Sequence, residues 1–190
     1  SQVSTQNYIQ TRTMLNAGQS SYLDKIVYYD GLGRPFQTLL KGLTPSHKNL
    51  ITLQEYDASG RETNSWLPAI ATSTTLYITP SAFKSSALES YDNDSYPYSQ
   101  SVYETSPQNR IIKQYDAGAA WRNGHPVSTS FLSNTTADSL HCIYYKINSS
   151  GDLISPGYYS SEELYVTGST DEDGNTDYTF TDKLGRKVLE

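Results

Sequence analysis

Tyr28-Tyr29-Asp30-Gly31-Leu32-Gly33-Arg34 is the stretch that decides the fold of this chain, and it recurs twice with variation. The other copies are Tyr56-Asp57-Ala58-Ser59-Gly60-Arg61 and Phe180-Thr181-Asp182-Lys183-Leu184-Gly185-Arg186. Their shared pattern is an aromatic residue, then Asp, two variable residues, Gly and Arg. A turn pattern that repeats between β-rich segments indicates an architecture of hairpins, which typically encloses, spans or binds rather than catalyses.

Each residue of this pattern has a predicted structural role. Asp at the first position of a type I turn accepts a hydrogen bond from the backbone N–H two residues on, and Gly supplies the left-handed conformation of a bulge. The aromatic residues and the residues after Arg form the two arms of a hairpin. Because an exposed Asp–Arg pair stabilises by only about 0–1 kcal/mol, we expect the Arg mainly to tie adjacent backbone together. The predicted structural residues are Tyr29, Asp30, Gly33, Arg34, Tyr56, Asp57, Gly60, Arg61, Asp182, Gly185 and Arg186.

The amino-acid composition agrees with a sheet that has one solvent-exposed face. The 190 residues include 17 Tyr but only four Phe, two Trp and one Met, so most large contact surface carries a hydroxyl that needs a partner. A formal net charge of −6, with scattered Lys and Arg, argues against nucleic acid as the main partner. Since no apolar run approaches the roughly 18 residues of a membrane span, membrane insertion is not expected either.

The alternation of polar and apolar residues predicts an all-β fold, an antiparallel sheet of hairpins. Large residues on both faces of the first hairpin, such as Ile26 and Val27, predict that it is covered on both sides. Asp173-Gly174 is predicted to form a hairpin turn. The predicted strands cover residues 7–15, 23–29, 35–40, 50–56, 62–67, 127–132, 139–147, 162–169 and 176–181.

An insertion over residues 68–100 interrupts the hairpin pattern. It contains the one predicted helix, with Thr79 as N-cap, Pro80 at the first helical position, and Phe83 and Ala87 on one face. We therefore predict one structural domain in three stretches. Residues 1–67 hold a strand and two hairpins, 68–100 the insertion, and 101–190 further hairpins that end in a shortened unit.

Residues 104–110 are a stretched copy of the turn pattern. Glu104 stands in place of Asp, and Asn109 stands in place of Gly before Arg110. Because Asn tolerates the left-handed conformation better than most residues, Asn109 is predicted to adopt it.

The repeated Tyr-Asp-x-x-Gly-Arg units resemble the N-terminal region of bacterial RHS (YD-repeat) proteins over most of the chain, from Tyr8 to Glu190. In that family, YD hairpins form spiralling sheets that close into a hollow shell, and in polymorphic toxin systems the shell encloses a C-terminal toxic domain. The resemblance implies that this chain is an early portion of such a shell or leads into it. Two departures are the irregular spacing of the units and the insertion.

Residues capable of chemistry do not form a recognisable catalytic or metal-binding pattern. His47, His125 and His141 are far apart, and His141 with Cys142 lacks zinc-ligand spacing. Cys142 has no flanking signature of a nucleophile, so we expect an inert thiol. Residues 171–177 resemble a calcium loop but have Gly at the fourth position rather than the sixth. The expectation is no enzyme, no metal and no cofactor; a pair of glycosidase carboxylates stays open, because separation in space is not readable from sequence.

Two functions follow as hypotheses. The first is a non-catalytic scaffold of an RHS-type protein, secreted or on the bacterial cell surface. Its partners would be the remainder of its own longer chain and an enclosed toxin domain. The alternative is a carbohydrate-binding module in which Trp66 or Trp121 stacks on sugar rings of glycans. The Asp-Pro self-cleavage motif of cargo-releasing RHS shells does not occur in the 190 residues.

Overall fold

A computed structural model describes residues 5–70, 76–136 and 139–190, and it confirms the predicted all-β antiparallel fold. The chain divides into two compact units. Unit 1 comprises the described residues of Ser1–Val102 and Tyr115–Asn123, and unit 2 those of Tyr103–Gln114 and Gly124–Glu190. The predicted three-stretch organisation as one structural domain stays a prediction.

Unit 1 is built on an antiparallel sheet in which consecutive strands are neighbours. The strand order is β1-β2-β3-β4-β5-β7, and the short β6 pairs with β4. The strands are β1 (Asn7–Met14), β2 (Tyr22–Tyr29), β3 (Pro35–Leu40), β4 (Leu50–Tyr56), β5 (Glu62–Trp66), β6 (Ala69–Ile70) and β7 (Tyr98–Tyr103). The first strand and both predicted hairpins of unit 1 are thereby confirmed.

The core of unit 1 lies on one face of its sheet, with helix α1 (Pro80–Ser90) packed against it. Along β2 the side chains of Asp24, Ile26 and Tyr28 are buried, whereas Val27 between them is only half-buried. The predicted cover on both sides of the first hairpin is therefore wrong. Large residues do alternate to both faces, but the helix and its flanking segment pack on one of them.

The sequence predicted the first helix but not the second. Helix α1 begins as expected, since the Thr79 side chain accepts a hydrogen bond from the Ala82 N–H, and it buries Phe83 and Ala87. A second helix, α2 (Ala119–Arg122), was not predicted, because four residues are too short for a periodic pattern and its N-cap has no side-chain hydrogen bond. Neither helix is long and apolar enough to cross a membrane.

Unit 2 contains five strands of antiparallel sheet and a separate hairpin. The sheet order is β8-β9-β12-β13-β14, and β10 pairs with β11 apart from it. Cys142, Leu164, Val166 and Phe180 form the buried core. The strands are β8 (Ile111–Tyr115), β9 (Val127–Ser133), β10 (Ile143–Ile147), β11 (Leu153–Tyr158), β12 (Tyr165–Thr170), β13 (Thr176–Thr181) and β14 (Lys187–Leu189).

The predicted strands of unit 2 needed two corrections. The strand expected over residues 139–147 begins only at Ile143, and the one expected over 162–169 begins at Tyr165, because Glu162 has a positive φ of 64° that a strand does not accommodate. Strand β11 was missed. Its sequence contains Pro and Gly, and because both residue types are uncommon inside strands, the sequence pattern did not indicate one.

Buried Tyr28 makes unit 1 sensitive to high pH. Its hydroxyl donates to the Leu76 carbonyl at 2.5 Å, and burial raises its pKa from 10.0 to about 12. Because the folded pKa lies above the unfolded one, stability is fully present below pH 10 and is lost as pH rises through this window. We expect urea midpoints to fall above pH 10, and to fall less in Tyr28→Phe; an equal decline in both proteins would contradict this assignment.

Candidate functional site: the repeated Asp-x-x-Gly-Arg turns

The backbone of the three turns is closed by the same two hydrogen bonds. In the first, the Asp30 N–H donates to the Arg34 carbonyl at 3.0 Å, and the Gly33 N–H donates to the Asp30 carbonyl at 3.0 Å. Both bonds recur at residues 57–61 and 182–186 with lengths of 2.9 Å. The Gly φ values are 78°, 81° and 79°, so the predicted left-handed conformation is present in all three.

The Asp side chain organises each turn by accepting three hydrogen bonds. Oδ1 of Asp57 accepts from the N–H groups of Ser59 and Arg61, both at 2.9 Å, while Oδ2 accepts from Arg61 Nε at 2.7 Å. Asp30 and Asp182 make the same three bonds, at 2.6–3.0 Å. The predicted bond from the residue two positions on is thus confirmed, with two further bonds that the sequence did not reveal.

Three further turns follow the same design with other residue types. Asp171 accepts from the N–H groups of Asp173 and Asn175, so residues 171–175, within the stretch that resembles a calcium loop, form a hairpin turn. The stretched copy also closes as a turn, with the Glu104 N–H donating to the Arg110 carbonyl at 3.0 Å, and Asn109 has the predicted positive φ of 55°.

The third variant, at residues 148–152, was missed by sequence reasoning. The Oδ1 atom of Asn148 accepts from the N–H groups of Ser150 and Asp152 at 2.9 and 2.8 Å, and Gly151 has a φ of 88°. An amide oxygen replaces the carboxylate here. A search for Asn or Asp followed by Gly three residues on would have found this turn and, with it, the hairpin of β10 and β11.

The guanidinium of the turn Arg pairs with the Asp of its own turn, with Arg34 Nη2 lying 2.7 Å from Asp30 Oδ2. The predicted tie to neighbouring backbone stays a prediction. The other face of Arg34 lies over the Tyr56 ring, 4.5 Å from its centre. A planar guanidinium suits both contacts, since it can form an ion pair edge-on and stack face-on.

This stacking follows the register of the sheets. Continuing the pairing Gln37↔Leu53 by three residues brings Arg34 opposite Tyr56, and the Tyr56 hydroxyl donates to the Pro35 carbonyl at 2.8 Å. In unit 2 the same continuation from Lys113↔Ser128 brings Arg110 opposite Phe131, with its guanidinium 3.9 Å from the ring centre. The turn Arg therefore contacts the aromatic residue that faces it on the next strand.

Hydrogen bonding lowers the pKa of the turn carboxyl groups. Backbone N–H donation by Arg34 and Arg61 is the largest cause for Asp30 and Asp57, respectively; the Arg side chains lower the pKa further, and desolvation opposes both effects. Glu104, bonded mainly by the Arg110 side chain, has a pKa lowered from 4.5 to about 2. Carboxylates held ionised and bonded in this way are poor proton donors or acceptors near neutral pH, so the turns are suited to structure rather than catalysis.

We expect these carboxylates to make stability sensitive to acid. Because their folded pKa values are depressed, their contribution to stability is present above the unfolded pKa of 3.8 and is lost as pH falls through the lower folded pKa values.

Asp57→Ala removes all three hydrogen bonds that Asp57 accepts and should lower the melting temperature at pH 7. Asp57→Asn should lower it less, because Asn148 fills the same position in its own turn. Equal melting temperatures for the parent and Asp57→Ala would contradict this role.

Trp66, one of the two predicted sugar-stacking residues, lies in the core of unit 1. It is only 9% exposed and packs against Phe83 and Tyr98, and its Nε1–H donates to Glu55 at 2.8 Å. Glu55 also accepts from Lys84 at 2.6 Å. Desolvation raises the pKa of Glu55, but hydrogen bonds from Lys84, Trp66 and Asn64 together lower it below its usual value. This burial argues against Trp66 as a platform for a sugar.

Trp121, the other predicted stacking residue, is 44% exposed on helix α2. The helix is held by Asp94, whose carboxylate accepts from the Ala119 N–H at 2.9 Å. The neighbouring Arg122 lies 4.6 Å from the centre of the Tyr115 ring and also faces Tyr96 and Tyr98. The exposed indole is the surface on which a sugar-binding role would rest, and that role stays a prediction.

His125 and His141 lie in different surroundings, and Cys142 follows His141 directly. His125 bonds through Nδ1 with the Glu172 carbonyl at 2.8 Å, whereas His141 packs edge-on against Tyr158. Cys142 is buried in the core of unit 2, and desolvation raises the pKa of its thiol, so it is not activated as a nucleophile. Within residues 5–70, 76–136 and 139–190, no group of three or more His, Cys, Asp or Glu side chains could hold a metal ion.

Comparison with known proteins places the chain in one family. Residues 1–133 match the family model described as Domain of unknown function (DUF6443). This match covers more than half of the 190 residues, including all of β1 to β9. No curated protein matches the chain.

Proposed function

Because this chain belongs to the DUF6443 family, whose description gives no function, we propose one on physical grounds: it is a non-catalytic β-hairpin scaffold of the RHS (YD-repeat) class. The parent protein is proposed to be bacterial and either secreted or displayed at the cell surface. Its partners are the remainder of a longer chain and a C-terminal toxin domain that the hairpins help to enclose.

The observation that carries the proposal is the repeated use of one turn. Three copies of Asp-x-x-Gly-Arg share their backbone bonds, their Gly conformation and their three Asp hydrogen bonds; the variants at residues 148–152 and 171–175 preserve both closing bonds, and the stretched copy preserves one. Every fixed residue of the motif is occupied by a structural contact. A motif used in this way supports a role in building a sheet, and it leaves no free acid, base or nucleophile for a reaction.

Limited proteolysis of the natural full-length product tests the enclosing role. If the hairpins form part of a shell, the segment at the C-terminus should be cut much more slowly in the native protein than when the same segment is expressed alone. A variant that carries Asp57→Ala and Asp30→Ala should lose this protection, because both changes remove hydrogen bonds that close turns of the proposed shell. Cleavage of the segment at equal rates in the two contexts would contradict the proposal.

A second candidate function, carbohydrate binding, is favoured by the exposed indole of Trp121. An aromatic ring of this kind provides an apolar face for a sugar ring. A glycan array followed by calorimetry tests it, with Trp121→Ala as the variant and Trp121→Phe as the conservative control. Binding that is lost in the first and retained in part in the second would support this function, and the absence of any signal would eliminate it.

A further inference from the structure

Arg186 differs from the other turn arginines in its surroundings. Its Nε donates to Asp182 at 2.6 Å, as in the other copies, yet its side chain is 73% exposed, compared with 29% for Arg34 and 38% for Arg110. The difference arises on the outer face of the guanidinium. Arg34 and Arg110 are covered there by Tyr56 and Phe131, whereas no ring covers Arg186 among the described residues.

The strand that follows Arg186 also has an open side. In the described part of the chain, β14 pairs with β13 alone, through Phe180↔Leu189 and Thr181↔Lys187. Strand β3, which follows Arg34 in the same way, pairs on its other side with β4. The partner strand β4 is the one that brings Tyr56 to Arg34.

We propose that the outer edge of β14, together with Arg186, binds an extended strand from a further hairpin of the same turn class, antiparallel to β14. That strand places an aromatic side chain over the guanidinium of Arg186. The inference deepens the proposed scaffold function and rests on it. Its basis is continuity with the arrangement that the structure shows at Arg34 and at Arg110.

The chemistry of the contact defines the ligand. The backbone edge supplies hydrogen bonds to any extended segment, so it gives little selectivity by itself. Arg186 adds selectivity, because a cation with an open planar face prefers an aromatic ring to an aliphatic side chain. In the first turn the aromatic hydroxyl also donates to the carbonyl of the residue after Arg34, and Lys187 occupies that position after Arg186. A tyrosine is therefore the preferred partner.

A peptide with the sequence of residues 50–61 tests the proposal, because it is the segment that covers Arg34 within the chain. It is titrated into the isotope-labelled 190-residue chain and followed by NMR. Shifts are expected at Arg186 Nε and at the amides of Lys187, Val188 and Leu189. Replacing the tyrosine of the peptide, Tyr56→Leu, should weaken binding about two- to fivefold, the effect of an exposed cation–π contact.

Variants of the chain separate the stacking from simple charge. Arg186→Gln should weaken binding by about the same factor, whereas Arg186→Lys, which keeps the charge but not the planar face, should recover only part of it. Lys183→Gln removes a charge from the same turn and should leave binding unchanged. Circular dichroism establishes that each variant is folded.

The outcomes that overturn the inference are specific. They are the absence of binding, shifts confined to the edge of β1, or equal affinity of the Arg186→Gln variant and the parent. None of these results bears on the protease protection that tests the scaffold function, so the two proposals can fail separately.

Discussion

Phe83→Ala should lower the free energy of unfolding of unit 1 by about 3–5 kcal/mol, the usual cost of truncating a fully buried Phe. Phe83 has 0% exposure, and its ring meets that of Trp66 edge-on with centres 6.0 Å apart. It is the main contact through which helix α1 completes the core above the sheet. A cavity at this position would weaken the helix and the sheet together.

Urea unfolding followed by tryptophan fluorescence measures this effect, since Trp66 and Trp121 are the two tryptophans of the chain and both lie in unit 1. Phe83→Leu is the matched control, because it keeps most of the apolar volume and should cost less than about 1.5 kcal/mol. Should Phe83→Ala change stability by less than this control, α1 would not belong to the core of unit 1.

Asn134→Ala should destabilise unit 2 by about 1–3 kcal/mol, because it leaves the buried N–H of Leu164 without its acceptor and the Ser160 carbonyl without its donor. Asn134 has 0% exposure. Its Nδ2 donates to the Ser160 carbonyl at 2.8 Å, and its Oδ1 accepts from the Leu164 N–H at 2.7 Å. These bonds fix the segment that leads into β12, so their loss should open the core around Leu164.

Cys142 reports on this change, because it is the single cysteine and is buried in the same core. The rate at which a thiol reagent modifies Cys142 should rise in Asn134→Ala. Asn134→Asp is the control, since it keeps the acceptor for Leu164 but loses the donor to Ser160, and it should show an intermediate rate. An unchanged rate in both variants would show that the two bonds contribute little.

The hairpins could be predicted because their determinants are local. Asp and Gly three residues apart set the turn by themselves, and even the Asn109 substitution was predicted to keep the left-handed conformation that it has. The same holds for α1, where Thr79 and Pro80 mark the start of the helix. In each case the deciding contacts join residues within about four positions of one another.

The features that sequence reasoning missed depend on contacts between distant residues. Burial of Trp66 is set by Phe83 and by Glu55, neither of which is marked as its neighbour in the sequence. The stacking of Arg34 on Tyr56 depends on the register between two strands. Asn134 gave no signal at all, because a buried side chain that bonds to loop backbone looks like any surface Asn.

The fixed positions of the turn determine the hairpin, and the free energy of unfolding of two turn variants tests this most directly. Ala58→Gly with Ser59→Leu gives the second turn the variable residues of the first, and both positions are exposed. Asp57→Ser with Ser59→Asp keeps the composition but moves the carboxylate away from the N–H groups that it accepts from. We predict that the first variant unfolds at nearly the parent urea concentration and the second at a clearly lower one; equal midpoints for the two variants would show that the fixed positions do not determine the hairpin.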